Sequence, residues 1–311
     1  MPADVVGLKI GSSRLAAARV IPGDEPELLQ AASRKMPPGL VRSGEVEDPT
    51  ALSSALRDFF REAKLPTNRV RLGIGSNRIG IRRLEVEGVE DPANLRDAVV
   101  FRAQQALPIP VTEAVLDYHV LAIRDDDEGN AVYDVLVAVV YEDLVQVFAD
   151  ACEEAGITLL GIDLEAMALL RALNPAWREA PEADGTGMVA LAIGAERTIL
   201  AVTDGTTCEF TRVIDWGGAT LTRAVARALD VEEDEAEELK KAAVIGPLAD
   251  GDTDEAATAI ELAISSFLSE LVSSLEFYQG LDGSLAIREF VIAGGSAQLN
   301  GLPELLSNLL G

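Results

Sequence analysis

Two matching stretches decide how this chain is read, "VVGLKIGSSRLAAARV" (5–20) and "MVALAIGAERTILAVT" (188–203). They align without a gap at an offset of 183, with Val6/Val189, Leu8/Leu191, Ile10/Ile193, Gly11/Gly194, Arg14/Arg197 and Ala18/Ala201 identical. Each has an apolar strand, a turn containing glycine and a second apolar strand, the pattern of a β-hairpin. Each also opens a chain half of similar size. The chain therefore reads as two homologous halves facing each other across a cleft. A strand that breaks into a Gly-Ser-Ser turn presents backbone N–H groups in a form that suits phosphates.

The remaining composition narrows the class. At 311 residues the chain has room for about two domains with proper cores. Its formal charge of −26 argues against general binding to nucleic acid or an anionic membrane, which it would repel. The acid is uneven: Arg61 to Arg102 is locally basic, whereas "DVEEDEAEELKK" (230–241) is almost all acid. Cys152 and Cys208 form no spacing motif and imply a reducing compartment. No apolar run approaches membrane-spanning length and no signal peptide is read at the N-terminus, so the expectation is a soluble cytosolic protein. His119, the one histidine, reads as a strand residue rather than a catalyst or metal ligand.

Along the chain, "DPTALSSALRDFFREAKLP" (48–66) carries a helical apolar stripe and "RVRLGIGS" (69–76) is a strand. The pattern then changes. A helix at 94–107 is stopped by "PIP", strands at 113–124 and 131–141 are joined by "DDDEGN", and a helix at 142–156 ends on glycine. This block reads as an inserted α+β subdomain, residues 86–156. The first half then comprises 1–85 plus 157–185, with "APEADGTG" (180–187) a polar hinge. The second half comprises 186–217 plus 254–311. Helices at 218–230 and 233–243 fill a small outer lobe, 218–253. Ile260, Ile264, Phe267, Leu271, Leu275 and Tyr278 mark one buried stripe on a long helix.

The hairpin pair, the inserted block and a late "VIAGGSAQLNGL" resemble the actin-like ATPase superfamily, an α/β fold of two duplicated ribonuclease-H-like halves. Within it the chain is most similar to the PilM family of type IV pilus assembly proteins, related to FtsA. The stretches that carry this are "RAQQALPIPVTEAVLDYHVL" (102–121), "GITLLGIDLEAMALLRAL" (156–173), "DWGGATLTRAVARALDVEEDEAEELKK" (215–241) and "EFVIAGGSAQLNGL" (289–302). The resemblance implies a nucleotide, ATP, in the cleft. Gly11, Ser12 and Ser13 would hold its phosphates from one side and Gly194 from the other. Glu237 and Lys240 would meet the ribose and base, and Gly294, Gly295 and Ser296 would lie against the adenosine.

The chain departs from that family at two positions. Lys9 and Ala192 stand where the pattern has an aspartate in each hairpin, the carboxylates that hold Mg²⁺. A fixed positive charge ~6 Å from a divalent ion repels it by roughly 5 kcal/mol at an effective dielectric of about 20. Lys9 either binds phosphate directly in place of the metal or pairs with an acid such as Asp163 or Asp215 and closes the cleft. Glu196 and Arg197 replace small residues in the second turn, and Glu196 would add negative charge there if it points inward. Asp163 is the remaining candidate to position a water for hydrolysis, or else a helix N-cap.

The favoured reading is a scaffold and adaptor, with ATP possible and Mg²⁺ doubtful. The resemblance implies as partner the N-terminal cytoplasmic tail of a PilN-like bitopic membrane protein, docked between the first half and the inserted subdomain. Arg78, Arg82 and Arg83 would border that groove. The alternatives are an active Mg-ATP-dependent ATPase, which aspartates at 9 and 192 would have supported, and an FtsA-like or type II secretion assembly protein. An FtsA-like chain continues into an amphipathic anchor, whereas here Leu305, Leu306, Leu309 and Leu310 fit a short helix packed on the last strand.

Overall fold

The computed structural model describes residues 3–23, 25–89, 91–107, 109–126, 128–177, 185–246, 254–281 and 283–310. The chain begins with strands β1 (Val5–Ile10), β2 (Arg14–Ile21) and β3 (Glu27–Lys35), followed by the two-residue strands β4 (Val41–Arg42) and β5 (Glu45–Val46). Helix α1 (Pro49–Ala63) leads to β6 (Val70–Ile74) and β7 (Ile79–Val86). Next come α2 (Leu95–Ala106), β8 (Ala114–Asp125), β9 (Ala131–Tyr141), α3 (Glu142–Glu154), β10 (Leu159–Leu164) and α4 (Glu165–Trp177). The second half runs β11 (Thr186–Ile193), β12 (Thr198–Thr203), β13 (Cys208–Ile214), α5 (Gly218–Leu229), α6 (Glu233–Ala242) and α7 (Glu255–Gln279). It closes with β14 (Ala286–Ala293) and α8 (Leu302–Leu310).

The repeat in sequence is a repeat in structure. In β1–β2, Lys9 faces Ala16 and Ile10 faces Leu15; in β11–β12, Ala192 faces Ile199 and Ile193 faces Thr198. Both turns close alike, with Gly11 N donating to the Arg14 carbonyl at 3.0 Å and Gly194 N to the Arg197 carbonyl at 2.9 Å. The first sheet has the order β10-β6-β1-β2-β3 and the second β13-β12-β11-β14. In each, the inner strand of the hairpin has a parallel neighbour on its other side, β6 or β14.

Each half has its own core. In the first, Leu8, Ile10, Leu52, Leu56, Phe59 and Phe60 pack together with Leu144, Phe148 and Cys152 of α3. In the second, the α7 stripe of Ile260, Ile264, Phe267 and Leu271 is buried under the sheet, and Trp216 stacks on Phe267. Among the described residues α7 is the one helix long and apolar enough to cross a membrane, and this buried stripe accounts for that composition. Both thiols are buried and unpaired, and burial pushes each up to about 12.

The boundaries differ from the sequence reading in three places. The inserted sheet has the order β7-β9-β8, so the subdomain begins at Ile79 and not at residue 86. Helix α3 belongs to the first half, because its apolar stripe is buried against α1 rather than in the subdomain. Helix α5 is no outlying lobe: Leu221 and Val225 enter the same core as α7. In α8, Leu306 is buried while Leu309 is exposed. Residues 180–184 of the expected hinge, 247–253 of the expected lobe and Pro108 lie outside the described residues.

Candidate functional site

Lys9 leaves β1 toward the cleft and meets an acid, but neither of the two expected. Its Nζ donates to Glu165 Oε2 at 2.8 Å. Asp163 instead accepts from Leu164 N and pairs with Arg171, and Asp215 accepts from Asn77 Nδ2 at 3.0 Å. The reason is register. Lys9 and Asp163 both face Gly73 of β6, so they stand two strands apart, about 9–10 Å. Glu165 lies two residues further on, at the start of α4, with one more methylene of reach. Its side chain crosses over Gly73, where a Cβ would sit 3.4 Å from Glu165 Cγ. Asp163 is not the N-cap of α4, which begins at Glu165.

Glu165 holds a second cation. Arg197 Nη2, from the other hairpin turn, donates to Oε1 at 2.9 Å. The Glu165 side chain is 7% exposed, Arg197 11% and Lys9 51%. Room for Arg197 comes from Gly44, where a Cβ would fall into the guanidinium and against the Gly75 carbonyl. Ser43 and Gly44 both have positive φ, 46° and 84°, as a two-residue type I′ turn requires. Glu196 turns to the first half, where its Oε2 accepts from Ser43 N at 3.0 Å. The second hairpin turn is thus tied twice to the first half.

The residues that the resemblance assigned to the nucleoside side come together in the second half. Lys240 Nζ donates to the Gly218 carbonyl at 3.2 Å, Thr222 Oγ1 at 2.9 Å and Glu237 Oε2 at 2.6 Å. Ser296 Oγ donates to the Gly194 carbonyl at 3.0 Å. Gly218 sits between Ser296 and Lys240, and its N–H donates to that same Gly194 carbonyl at 3.0 Å. Gly294, at φ 93°, lies on the Ile193 carbonyl with no space for a side chain, while Gly295 is open. Ser12 is half-buried and Ser13 exposed, and the Ser13 carbonyl accepts from Met36 N at 2.9 Å. Burial pushes the Glu237 carboxyl up, but hydrogen bonds from Lys240 and Thr222 outweigh it and hold the group below the ordinary carboxylate value.

A divalent metal does not fit between the hairpins. The carboxylate there, Glu165, already carries two cations, and Ala192 supplies no oxygen. Among the described residues, no three His, Cys, Asp or Glu side chains are grouped to hold a metal. No hydrolytic step follows from this arrangement.

A cavity of about 760 Å³ opens elsewhere. One wall is the face of the inserted sheet, where Val115, Asp117 and His119 of β8 pair with Val140, Ala138 and Leu136 of β9. The opposite wall is Ile162 and Asp163 of β10 with Met167, Leu170 and Arg171 of α4. The turn after β12, Gly205 to Cys208, closes it from the second half. Both β8 and β10 end their sheets. The groove lies between the first half and the inserted subdomain, but its lining residues come from three separate segments and none of them was named from the sequence as bordering it.

The three arginines expected to border the groove do not line it. They lie on or beside β7, the far edge of the inserted sheet from β8. Arg78 grips Asp143 through Nη2, at 2.7 and 2.9 Å, with its guanidinium 4.5 Å from the Tyr141 ring centre. Arg83 Nε donates to Asp134 at 2.8 Å, and Nη1 reaches Glu209 of the second half at 3.2 Å. Arg82 donates to the Ile81 carbonyl. Arg78 and Arg83 are ties that orient the subdomain.

The comparisons with known proteins agree with this architecture. A family model for type IV pilus assembly protein PilM matches residues 7–311. The whole chain aligns, at 28% identity and a TM-score of 0.82, with 87% of a chain solved in a PilM–PilN type IV pilus biogenesis complex. Ethanolamine utilization protein EutJ from Carboxydothermus hydrogenoformans is 16% identical with a TM-score of 0.58, over 100% of this chain and 83% of EutJ. MreB5 of Spiroplasma citri, solved with AMPPNP, is 13% identical with a TM-score of 0.57, over 99% of this chain and 90% of MreB5. These last two share the fold alone, which is that of the actin-like ATPases. With a family model spanning nearly its full length, the chain belongs to the PilM family of type IV pilus assembly proteins.

Proposed function

We propose that this protein is a scaffold of a type IV pilus assembly complex that takes the cytoplasmic tail of a PilN-like bitopic membrane protein into the groove between β8 and α4. It sits at the inner face of the cell membrane through that partner and works without ATP hydrolysis. The observation that carries the reading is the groove itself, open between two unpaired sheet edges and floored by Leu136, Ala138 and Val140. An extended peptide laid there finds backbone partners on either edge and apolar seats for alternate side chains. The similarity to a chain solved in a PilM–PilN complex supports the choice of partner. The double neutralisation of Glu165 weighs against an active Mg-ATPase.

Calorimetric titration of the full chain with a synthetic PilN-like tail peptide tests this. The wild type is expected to bind, Leu136→Arg to weaken binding by at least about tenfold, and Arg82→Ala to leave it unchanged. A wild type that ignores the peptide, or a Leu136→Arg variant that binds it as well, would overturn the assignment.

A further inference from the structure

Several contacts between the two halves gather around the cleft. Glu165 and Ser43 of the first half hold Arg197 and Glu196 of the second. Asn77 donates to Asp215 beside them. Behind the ion pairs lies an apolar seam in which Ala166 and Leu170 of α4 pack on Ile199 and Ala201 of β12. Gly75 completes it, since a Cβ there would stand 3.0 Å from Ile199 Cδ1. Ion pairs, hydrogen bonds and apolar packing thus join the halves at this junction.

One element belongs both to this junction and to the groove. Helix α4 places Glu165 in its first turn and Met167, Leu170 and Arg171 along the groove wall. From Glu165 to Arg171 is about 9 Å along the axis, short enough to move as a rigid body. The turn that closes the groove, Gly205 to Cys208, is carried by the second half. How far that turn closes over the groove depends on how the halves sit together, and Glu165 is one of the contacts that fix this.

We propose that Lys9, Glu165 and Arg197 form a built-in latch that keeps the halves closed without nucleotide, so that the tail groove is permanently formed. The occupant of the groove rests on the function proposed above; the latch itself does not. The physical basis is asymmetric. Glu165 is buried and Arg197 mostly so, and removing the negative charge leaves a guanidinium facing Lys9 with nothing between them. Lys9 is half in water and contributes less. Because Glu165 is committed to both cations, a nucleotide added with Mg²⁺ finds no free carboxylate through which to change the closure.

Hydrogen exchange of the full chain, read by mass spectrometry, tests the latch. In Glu165→Gln the amides of 41–46 and 194–197 are expected to exchange roughly tenfold faster than in the wild type, with the two cores unchanged. Millimolar ATP with Mg²⁺ is expected to leave wild-type exchange in those segments as it was. Lys9→Met, which removes the outer arm, should give a smaller change in the same direction. It decides the matter if Glu165→Gln does not melt cooperatively. Unchanged exchange in both variants, or a wild type that tightens on Mg-ATP, would overturn the proposal. Tail-peptide titration separates the two ideas. Glu165 does not itself line the groove, yet Glu165→Gln should weaken the peptide about tenfold if the latch shapes the groove. If the wild type fails to bind the peptide while the exchange changes appear, the groove assignment falls and the latch stands. Peptide binding equal in both proteins, with exchange unchanged, removes the latch and leaves the groove.

Discussion

Lys9 and Asp163 stand in one row of the first sheet with Gly73 between them, and the pair that forms skips that row for Glu165. The sequence shows an unmatched lysine near several acids. The choice among them depends on strand register and on a missing side chain, and neither is local. Arg14 and Arg197 make the same point. They are the same residue in the two copies of the repeat, yet Arg14 rests exposed on Ser33 while Arg197 is largely covered and paired with Glu165. By contrast, Gly194, Glu237, Lys240 and Ser296, each carried by a contiguous stretch that stands out in the sequence, meet around Gly218. That cluster makes a prediction of its own. The Glu237 carboxyl is held below its ordinary value in the fold, so the stability it adds is present above the unfolded value and lost as pH falls through the folded one. Urea melts of the wild type and Glu237→Gln should therefore differ at pH 7, with the variant less stable. The gap should close as pH falls below the ordinary carboxylate range. A gap that stays constant down to pH 3 would mean that Glu237 acts by packing and not by charge.

At the scale of elements, apolar periodicity revealed the long helices and both repeated hairpins, since each buries a continuous stripe. It did not reveal β3, an edge strand whose residues are all exposed or half-buried and so show little apolar alternation. For β7 the alternation is present, but its pairing partner is β9, and a strand does not announce which sheet it joins. Helix α7 shows how local signals and burial cooperate. Asp254 caps it, accepting from Ala256 N at 2.9 Å and Ala257 N at 3.3 Å, before the buried stripe begins. Residues 247–253 precede it, so the cap is the first described restraint on where the helix starts. Asp254→Ala should lower stability by about 1 kcal/mol, and Asp254→Ser or Asp254→Asn should recover most of it. Denaturant midpoints at constant slope would read this directly; a slope that changes would point to a loosened native state instead.

For the whole molecule the dominant quantity is charge, 52 acids against 26 bases. The acid is carried at the surface, as at the start of α6, where Glu233, Asp234 and Glu235 are exposed. The ion pair that holds the halves together is buried. Salt acts differently on these two populations. Raising it from 0.01 M to 1 M shortens the Debye length from about 30 Å to about 3 Å, which erases repulsion between distant surface acids. A buried pair in contact feels little of this. Exposed cross-half pairs such as Lys35–Asp234 would weaken, but each contributes at most about 1 kcal/mol. Self-repulsion spread over 26 uncompensated charges outweighs them. The melting temperature at pH 7 should therefore rise steadily with sodium chloride, by several degrees over this range. The exchange of the 194–197 amides, measured at each salt concentration well below the melt, should stay level. A melting temperature that falls would mean surface ion pairs, and not repulsion, govern stability. Faster exchange at 194–197 in high salt would mean that the closure of the halves depends on the exposed pairs and not on Glu165.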